Sequence, residues 1–148
     1  MYLAIIIGVI TILDQFIKMK IVDKVMPHKS IEIIKNFFYL TYVENTGISF
    51  GMFKGKRIIF IILTIIVCII LSYFLIKFSK TNRVIAVCLA FIIGGAIGNL
   101  IDRIRLGYVI DYIHFSFFPP VFNLADAAIV CGAIALSIIL IFNKNIEL

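Results

Sequence analysis

Two stretches of this chain run without a charge for longer than most soluble helices do: Ile58 to Ile76, 19 residues, and Val84 to Ile101, 18 residues. At 1.5 Å per residue they make about 28 Å and 27 Å of helix, close to the roughly 30 Å of a bilayer's hydrocarbon core. The rest of the sequence agrees, with 63% hydrophobic and 15% charged residues against about 45–50% and 25% in soluble domains. Two further apolar stretches, about 2–22 and 121–142, hold polar groups: Asp14 and Lys18 in the first, Asn123 and Asp126 near the start of the second. The first lacks a basic start and a small-residue cleavage site, so it reads as a retained span and not a removed signal. The expected fold class is an all-α polytopic membrane protein with four transmembrane helices, about 2–22, 58–76, 84–101 and 121–142, in one membrane-embedded domain over 1–148.

The connections are unequal. Spans two and three are joined by a short segment, 77–83, while about 34 residues, 23–56, separate spans one and two. Within that long connection IEII and FFYLTYV are rich in β-branched and aromatic residues, and ENTG is a turn signal. A small β-sheet on the membrane surface is expected there, between helices 1 and 2.

Counting crossings then sorts the polar residues. The end of span one, the long connection, the end of span three, the third connection and the start of span four all fall on one side. Asp14, Asn45, Asn99, Asp102, Arg103, Asp111, Asn123 and Asp126 therefore converge, and of eight acidic residues only Glu147 lies opposite. Ionisable groups in or at the edge of spans are costly and usually functional. One membrane-embedded polar site is the economical reading.

Other chemistries have weak support. A formal charge of +6 could suggest nucleic acid, but the Lys and Arg are scattered between apolar runs and read as flanks facing lipid headgroups. Cys68, Cys88 and Cys131 each sit inside an apolar run, with no disulfide framework or metal-ligand spacing. His28 and His114 form no HExxH pattern, and Ser49 has no matching Lys or His motif to activate it. Neither metal nor cofactor is expected.

GGAIGNLIDR, residues 94–103, closes the third span. Gly94 and Gly98 form a small-xxx-small pair suited to close helix packing. Asn99, Asp102 and Arg103 share a helical face, where Arg103 could pair with a carboxylate, Asp102 included. VIDYIHFSFFPPVFNLAD, residues 109–126, holds two carboxylates on either side of Pro119 and Pro120, which stop a helix and leave Val121 free to start the last one. Asn123 could be an N-cap with Asp126 as the N3 acid, and Asp111 alone could be a solvated loop acid. Asp14 and Lys18 form an i, i+4 pair that supports the site more plausibly than it performs chemistry.

Two carboxylates close together in a desolvated site cannot both ionise cheaply, so the pair holds one proton over a broad pH range. The ionised member can activate water while the protonated one polarises a carbonyl and later protonates the leaving nitrogen. Asn99, Asn123 and Arg103 would orient the carboxylates and stabilise developing charge.

At these residues the chain resembles the lipoprotein signal peptidases, the type II signal peptidases of bacteria. The blocks DQFIK from Asp14, ENTGISFG from Glu44, GGAIGNLIDR, VIDY from Val109 and FNLAD from Phe122 agree in order along essentially the whole chain. The resemblance implies an aspartic endopeptidase that cleaves prolipoproteins just before a diacylglyceryl-modified cysteine. It also implies a multi-pass protein of the bacterial cell membrane, with cytoplasmic termini, an extracytoplasmic active site and a β-cradle between spans one and two. By the same resemblance the dyad is Asp111 and Asp126, with Asp14, Asn45, Asn99, Asp102, Arg103 and Asn123 as supporting or substrate-binding residues. The implied partners are diacylglyceryl-prolipoprotein substrates and membrane lipids, without nucleic acid; the protein is expected to be a monomer and to be inhibited by globomycin. The chain departs from the family in Tyr112, where phenylalanine is usual, and in Ile48-Ser49, where small residues such as Ala-Ala are common.

One feature opposes that orientation: ten of the fourteen Lys and Arg lie on the aspartate side or approach it, which by charge bias alone would be cytoplasmic. A small proton-coupled transporter would also use intramembrane carboxylates, but all the acids gather at one side and no internal repeat is visible. A non-catalytic scaffold would tolerate Asp111→Asn or Asp126→Asn, and a peptidase would not.

Overall fold

The computed structural model describes residues 1–47 and 57–142. It has four long helices: α1 Tyr2–Lys24, α2 Arg57–Thr81, α3 Arg83–Arg105 and α4 Leu124–Phe142. Three of them, α2, α3 and α4, are long and apolar enough to cross a membrane. The 23 residues of α1 are as long, but bury Asp14 and Lys18. The Asn82 side chain starts α3 by accepting from the Val84 and Ile85 amides, which otherwise lack helical partners.

α3 sits between its neighbours because it is lined with small residues. Ala86, Ala90, Gly94, Gly95, Ala96 and Gly98 are all buried. At Gly95 an added Cβ would run into the Ala125 carbonyl of α4, and at Gly94 it would lie 3.1 Å from Ile10 of α1. Without a hydrophobic drive between helices in lipid, such close backbone approach is what holds them together.

The sheet is larger than the sequence suggests. Strands β1 Ser30–Ile34, β2 Phe38–Asn45, β3 Val109–Phe115 and β4 Phe118–Phe122 form an antiparallel sheet in that order. An all-α fold with a sheet confined to the first connection is thus corrected: half of the strands come from the third connection. Asp111 lies opposite Val43 and Asn45 opposite Val109, a pairing between distant segments that no local pattern announces. Pro119 and Pro120 stop a helix as expected, but they do so inside β4, the sheet's edge, where a missing N–H donor is tolerated. Val121 and Phe122 accordingly belong to β4, and α4 begins at Leu124, three residues later than expected.

Two devices fix the sheet over the helix ends. Gly107, at φ +89, takes the left-handed conformation that lets the chain turn from α3 into β3. Ile110 and Tyr112 of β3 then pack with Ile21 and Val25 at the end of α1.

Candidate active site

The last two turns of α3 carry Asn99, Asp102 and Arg103, and α1 brings Asp14, Gln15 and Lys18 alongside. Gly98 makes this possible, since a Cβ there would stand 2.7 Å from the Asp14 carboxylate. Asp14, Lys18 and Asp102 are all buried, and the Lys18 ammonium lies 2.8 Å from both carboxylates. Asp14 and Lys18 thus form the expected i, i+4 pair, as part of a triad with Asp102.

The two carboxylates accept further hydrogen bonds. Asp14 Oδ1 accepts from the Ala125 amide at 3.0 Å, Asp102 Oδ1 from Gln15 Nε2 at 2.9 Å, and Asp102 Oδ2 from the Ile110 amide at 3.2 Å. One ion triad therefore ties α1, α3, the start of β3 and the start of α4 together. A buried pair stripped of one partner typically costs about 3–5 kcal/mol.

Asn123 and Asp126 form a reciprocal cap at the start of α4. Asp126 N donates to Asn123 Oδ1 at 2.8 Å, and Asn123 N donates to Asp126 Oδ2 at 3.3 Å, a capping-box geometry with Asp as the acid. The cap and the site share these residues. Asn123 Nδ2 also donates to Asp111 Oδ1 at 2.7 Å, and Asn99 Nδ2 donates to Asp126 Oδ1 at 2.7 Å. From β2, Asn45 Nδ2 donates to Asp111 Oδ2 at 2.8 Å. Each oxygen of Asp111 and Asp126 thus accepts from a fixed donor, and Asn123 touches both acids.

Arg103 stands slightly apart. Among the described residues its guanidinium makes no ion pair; it lies over the Phe60 ring, 5.5 Å from the centroid, and reaches the Asn99 carbonyl at 3.5 Å. The expected pairing of Arg103 with a carboxylate, Asp102 included, is therefore not formed, because Asp102 is taken up by Lys18. Arg103 instead lines a cavity of about 1200 Å³ together with Asp111, Asp126 and Asn45. Its walls are otherwise mostly apolar, from β4 and from Ile129 and Val130 of α4. A smaller recess of about 300 Å³, bounded by Leu63 and Val67 of α2, reaches Asn99, Arg103 and Asp126 from another side.

Burial, followed by the nearby Asp126 carboxylate, pushes the Asp111 carboxyl up to about 7, although the Asn45 and Asn123 hydrogen bonds and the Lys18 charge pull the other way. A carboxyl that titrates near neutrality beside a second carboxylate can hold or release a proton at ordinary pH. Among the described residues no three His, Cys, Asp or Glu side chains are grouped as metal ligands would be.

All eight residues singled out in the sequence thus come to one place, with Arg103 at its margin. Gln15 and Tyr112 were not anticipated as members: Gln15 holds Asp102, and the Tyr112 hydroxyl accepts from the Leu124 amide at 3.2 Å. Gln15 had a signal, being a polar residue beside Asp14 within an apolar span. Ile48, Ser49 and Glu147 lie outside the described residues.

Comparison with known proteins adds to the geometry. The family model for signal peptidase (SPase) II matches residues 6–142. A lipoprotein signal peptidase of Caldanaerobacter subterraneus subsp. tengcongensis is 51% identical over 143 residues, covering 97% of this chain and 98% of that protein. One from Halothermothrix orenii is 46% identical over 131 residues, 87% of this chain and 88% of that protein. A bacterial membrane enzyme solved by the in meso method at 2.3 Å superposes with a TM-score of 0.89 at 34% identity, covering 99% of this chain and 94% of that one.

Proposed function

Since the chain belongs to the signal peptidase II family, and is thereby a peptidase of the aspartic type, we propose that Asp111 and Asp126 are its catalytic dyad, acting on diacylglyceryl-modified prolipoproteins. The observation that carries this reading is the shared asparagine frame. Two carboxylates from different elements, β3 and α4, are each held by two donors and both face one largely apolar cavity.

The pair works with one proton. The ionised carboxylate takes a proton from water as the water attacks the scissile carbonyl, and the protonated carboxyl hydrogen-bonds the carbonyl oxygen as it gains charge. The tetrahedral intermediate then collapses as the leaving nitrogen is protonated, and the dyad regains its single proton. Arg103, at the cavity margin, provides a positive charge near the developing oxyanion. The apolar walls of β4 and α4 suit the acyl chains of a lipidated cysteine.

α1 is read as the fourth crossing. Its Ile5, Val9, Ile12, Leu13 and Phe16 are exposed, the outward apolar face that lipid requires, while its buried charges, Asp14 and Lys18, turn inward to α3. The site is assigned to the extracytoplasmic face, with cytoplasmic termini, on the family's topology and against the charge bias.

The test is cleavage of a diacylglyceryl-modified prolipoprotein by purified protein in detergent with a chelator present, for wild type, Asp111→Asn and Asp126→Asn. Chelator-resistant cleavage that disappears in both folded variants is expected. Undiminished cleavage by either variant would mean that the dyad is wrongly assigned.

A further inference from the structure

Lys18 has a role that charge balance does not explain. Its ammonium has three donors, and two of them meet Asp14 and Asp102, each at 2.8 Å. Those two carboxylates already more than neutralise it. The third donor goes to a neutral group, Asn99 Oδ1, at 3.0 Å.

An ammonium has donors only, so it can face the carbonyl end of an amide and never the NH₂ end. The Asn99 amide therefore has one allowed orientation, with its oxygen toward Lys18 and its nitrogen toward Asp126 Oδ1, 2.7 Å away. Reversed, it would set NH₂ against an ammonium and a carbonyl oxygen against a carboxylate. Asn99 Oδ1 also accepts from Asn123 Nδ2 at 3.2 Å, and that same nitrogen donates to Asp111 Oδ1 at 2.7 Å. The backbone agrees with this sense, because the Asp126 amide holds Asn123 Oδ1 at 2.8 Å.

We propose that Lys18 is a positioning residue, which sets the amide of Asn99, and through it that of Asn123, so that both present N–H donors to the two acids. This rests on the dyad reading above. Lys18 touches neither acid directly and acts through Asn99, while Asp14, Asp102 and the Gly98 contact hold the ammonium in place.

The test is a cycle of kcat and KM on purified protein in detergent with a diacylglyceryl-modified prolipoprotein. The variants are Asn99→Ala, the charge-balanced pair Lys18→Met with Asp14→Asn, and all three together, with folding checked by thermal unfolding. The paired variant is expected to lose about tenfold to a hundredfold in kcat with KM within about threefold of wild type. In the Asn99→Ala background the same pair should cost less than about threefold more, since its route to the acids is already gone. Lys18→Arg, another donor-only cation, should keep most of the wild-type kcat. Losses that multiply, a loss carried by KM, or a paired variant that does not fold while Asn99→Ala does, would each overturn the proposal and assign Lys18 to the scaffold. Asp111→Asn and Asp126→Asn are run in parallel: full cleavage by either sinks the dyad itself, whereas inactive dyad variants with multiplying losses sink only the role of Lys18.

Discussion

α2 and α3 are close in length and both apolar enough to cross a membrane, yet they have opposite fates. The more hydrophobic one, α2, with a mean hydropathy of 3.2, has 6% of its span buried; α3, at 2.5, has 61% buried. In water the order would be reversed. Lipid removes that drive, because the tails solvate isoleucine as well as another helix does, and position is decided by which helix allows close approach and offers polar partners. α2 presents isoleucines such as Ile58, Ile62 and Ile69 outward. α3 presents glycine and alanine to both neighbours, and ends in the three polar residues of the site.

The comparison can be broken most forcefully at Asp102. Asp102→Leu leaves the Ile110 amide and the Gln15 side chain without their acceptor, so unfolding in detergent should be easier by about 2–5 kcal/mol. Ile69→Ala, on the exposed face of α2, should cost under about 1 kcal/mol. Equal losses from the two changes would mean that buried polarity is not what distinguishes the helices.

A smaller effect separates two glycines. Gly95→Ala drives a methyl into the Ala125 carbonyl and Ile129, and should cost about 1–3 kcal/mol in the same unfolding assay. Gly8→Ala, on α1 with nothing within 4 Å of the new methyl, should be neutral or stabilising by up to about 1 kcal/mol. A neutral Gly95→Ala would show that α3 and α4 can separate at no cost, and would undo the packing argument.

These contrasts mark what was legible in the sequence. Helix spans could be read because an apolar run of sufficient length has few other uses. The convergence of the acids could be read because counting crossings needs only the number of spans. What the sequence hid depends on contacts between distant segments. β3 and β4 join strands far behind them in the chain, with 66 residues between Asn45 and Asp111, and their own stretch, with its two prolines, reads locally as a loop. Asp102 and Arg103 invite each other as neighbours on one helix, but only the fold shows that Lys18 has already claimed Asp102. The start of α4 lies later than its sequence suggests for a similar reason: Val121 and Phe122 are apolar enough for a span, and only pairing with β3 takes them out of it.

The sheet carries the comparison beyond the helices, since it adds a donor to the site that α3 cannot supply. Asn45 favours the ionised form of Asp111 by donating to it, against the burial that pushes this carboxyl up to about 7. Removing that donor in Asn45→Ala raises it further, so the proton is kept to higher pH. If the dyad works with one proton, the alkaline limb of kcat/KM should move up by about one pH unit, equivalent to about 1.4 kcal/mol. A limb that stays in place, or moves down, would mean that Asp111 does not govern it.

The smallest effect tests whether polar contacts matter equally when they lie off the path from Lys18 to the acids. The Tyr112 hydroxyl accepts from the Leu124 amide, the first residue of α4. That amide is one of the helix-start donors that lack an intrahelical partner. Tyr112→Phe removes the acceptor and should lower stability by about 1 kcal/mol. Activity should barely change, because the neighbouring Ala125 and Asp126 amides are still held by Asp14 and Asn123, and these fix where Asp126 sits. The check is thermal unfolding in detergent beside kcat on the same preparations. If kcat fell tenfold while stability held, the hydroxyl would belong to the site itself and not only to the start of α4.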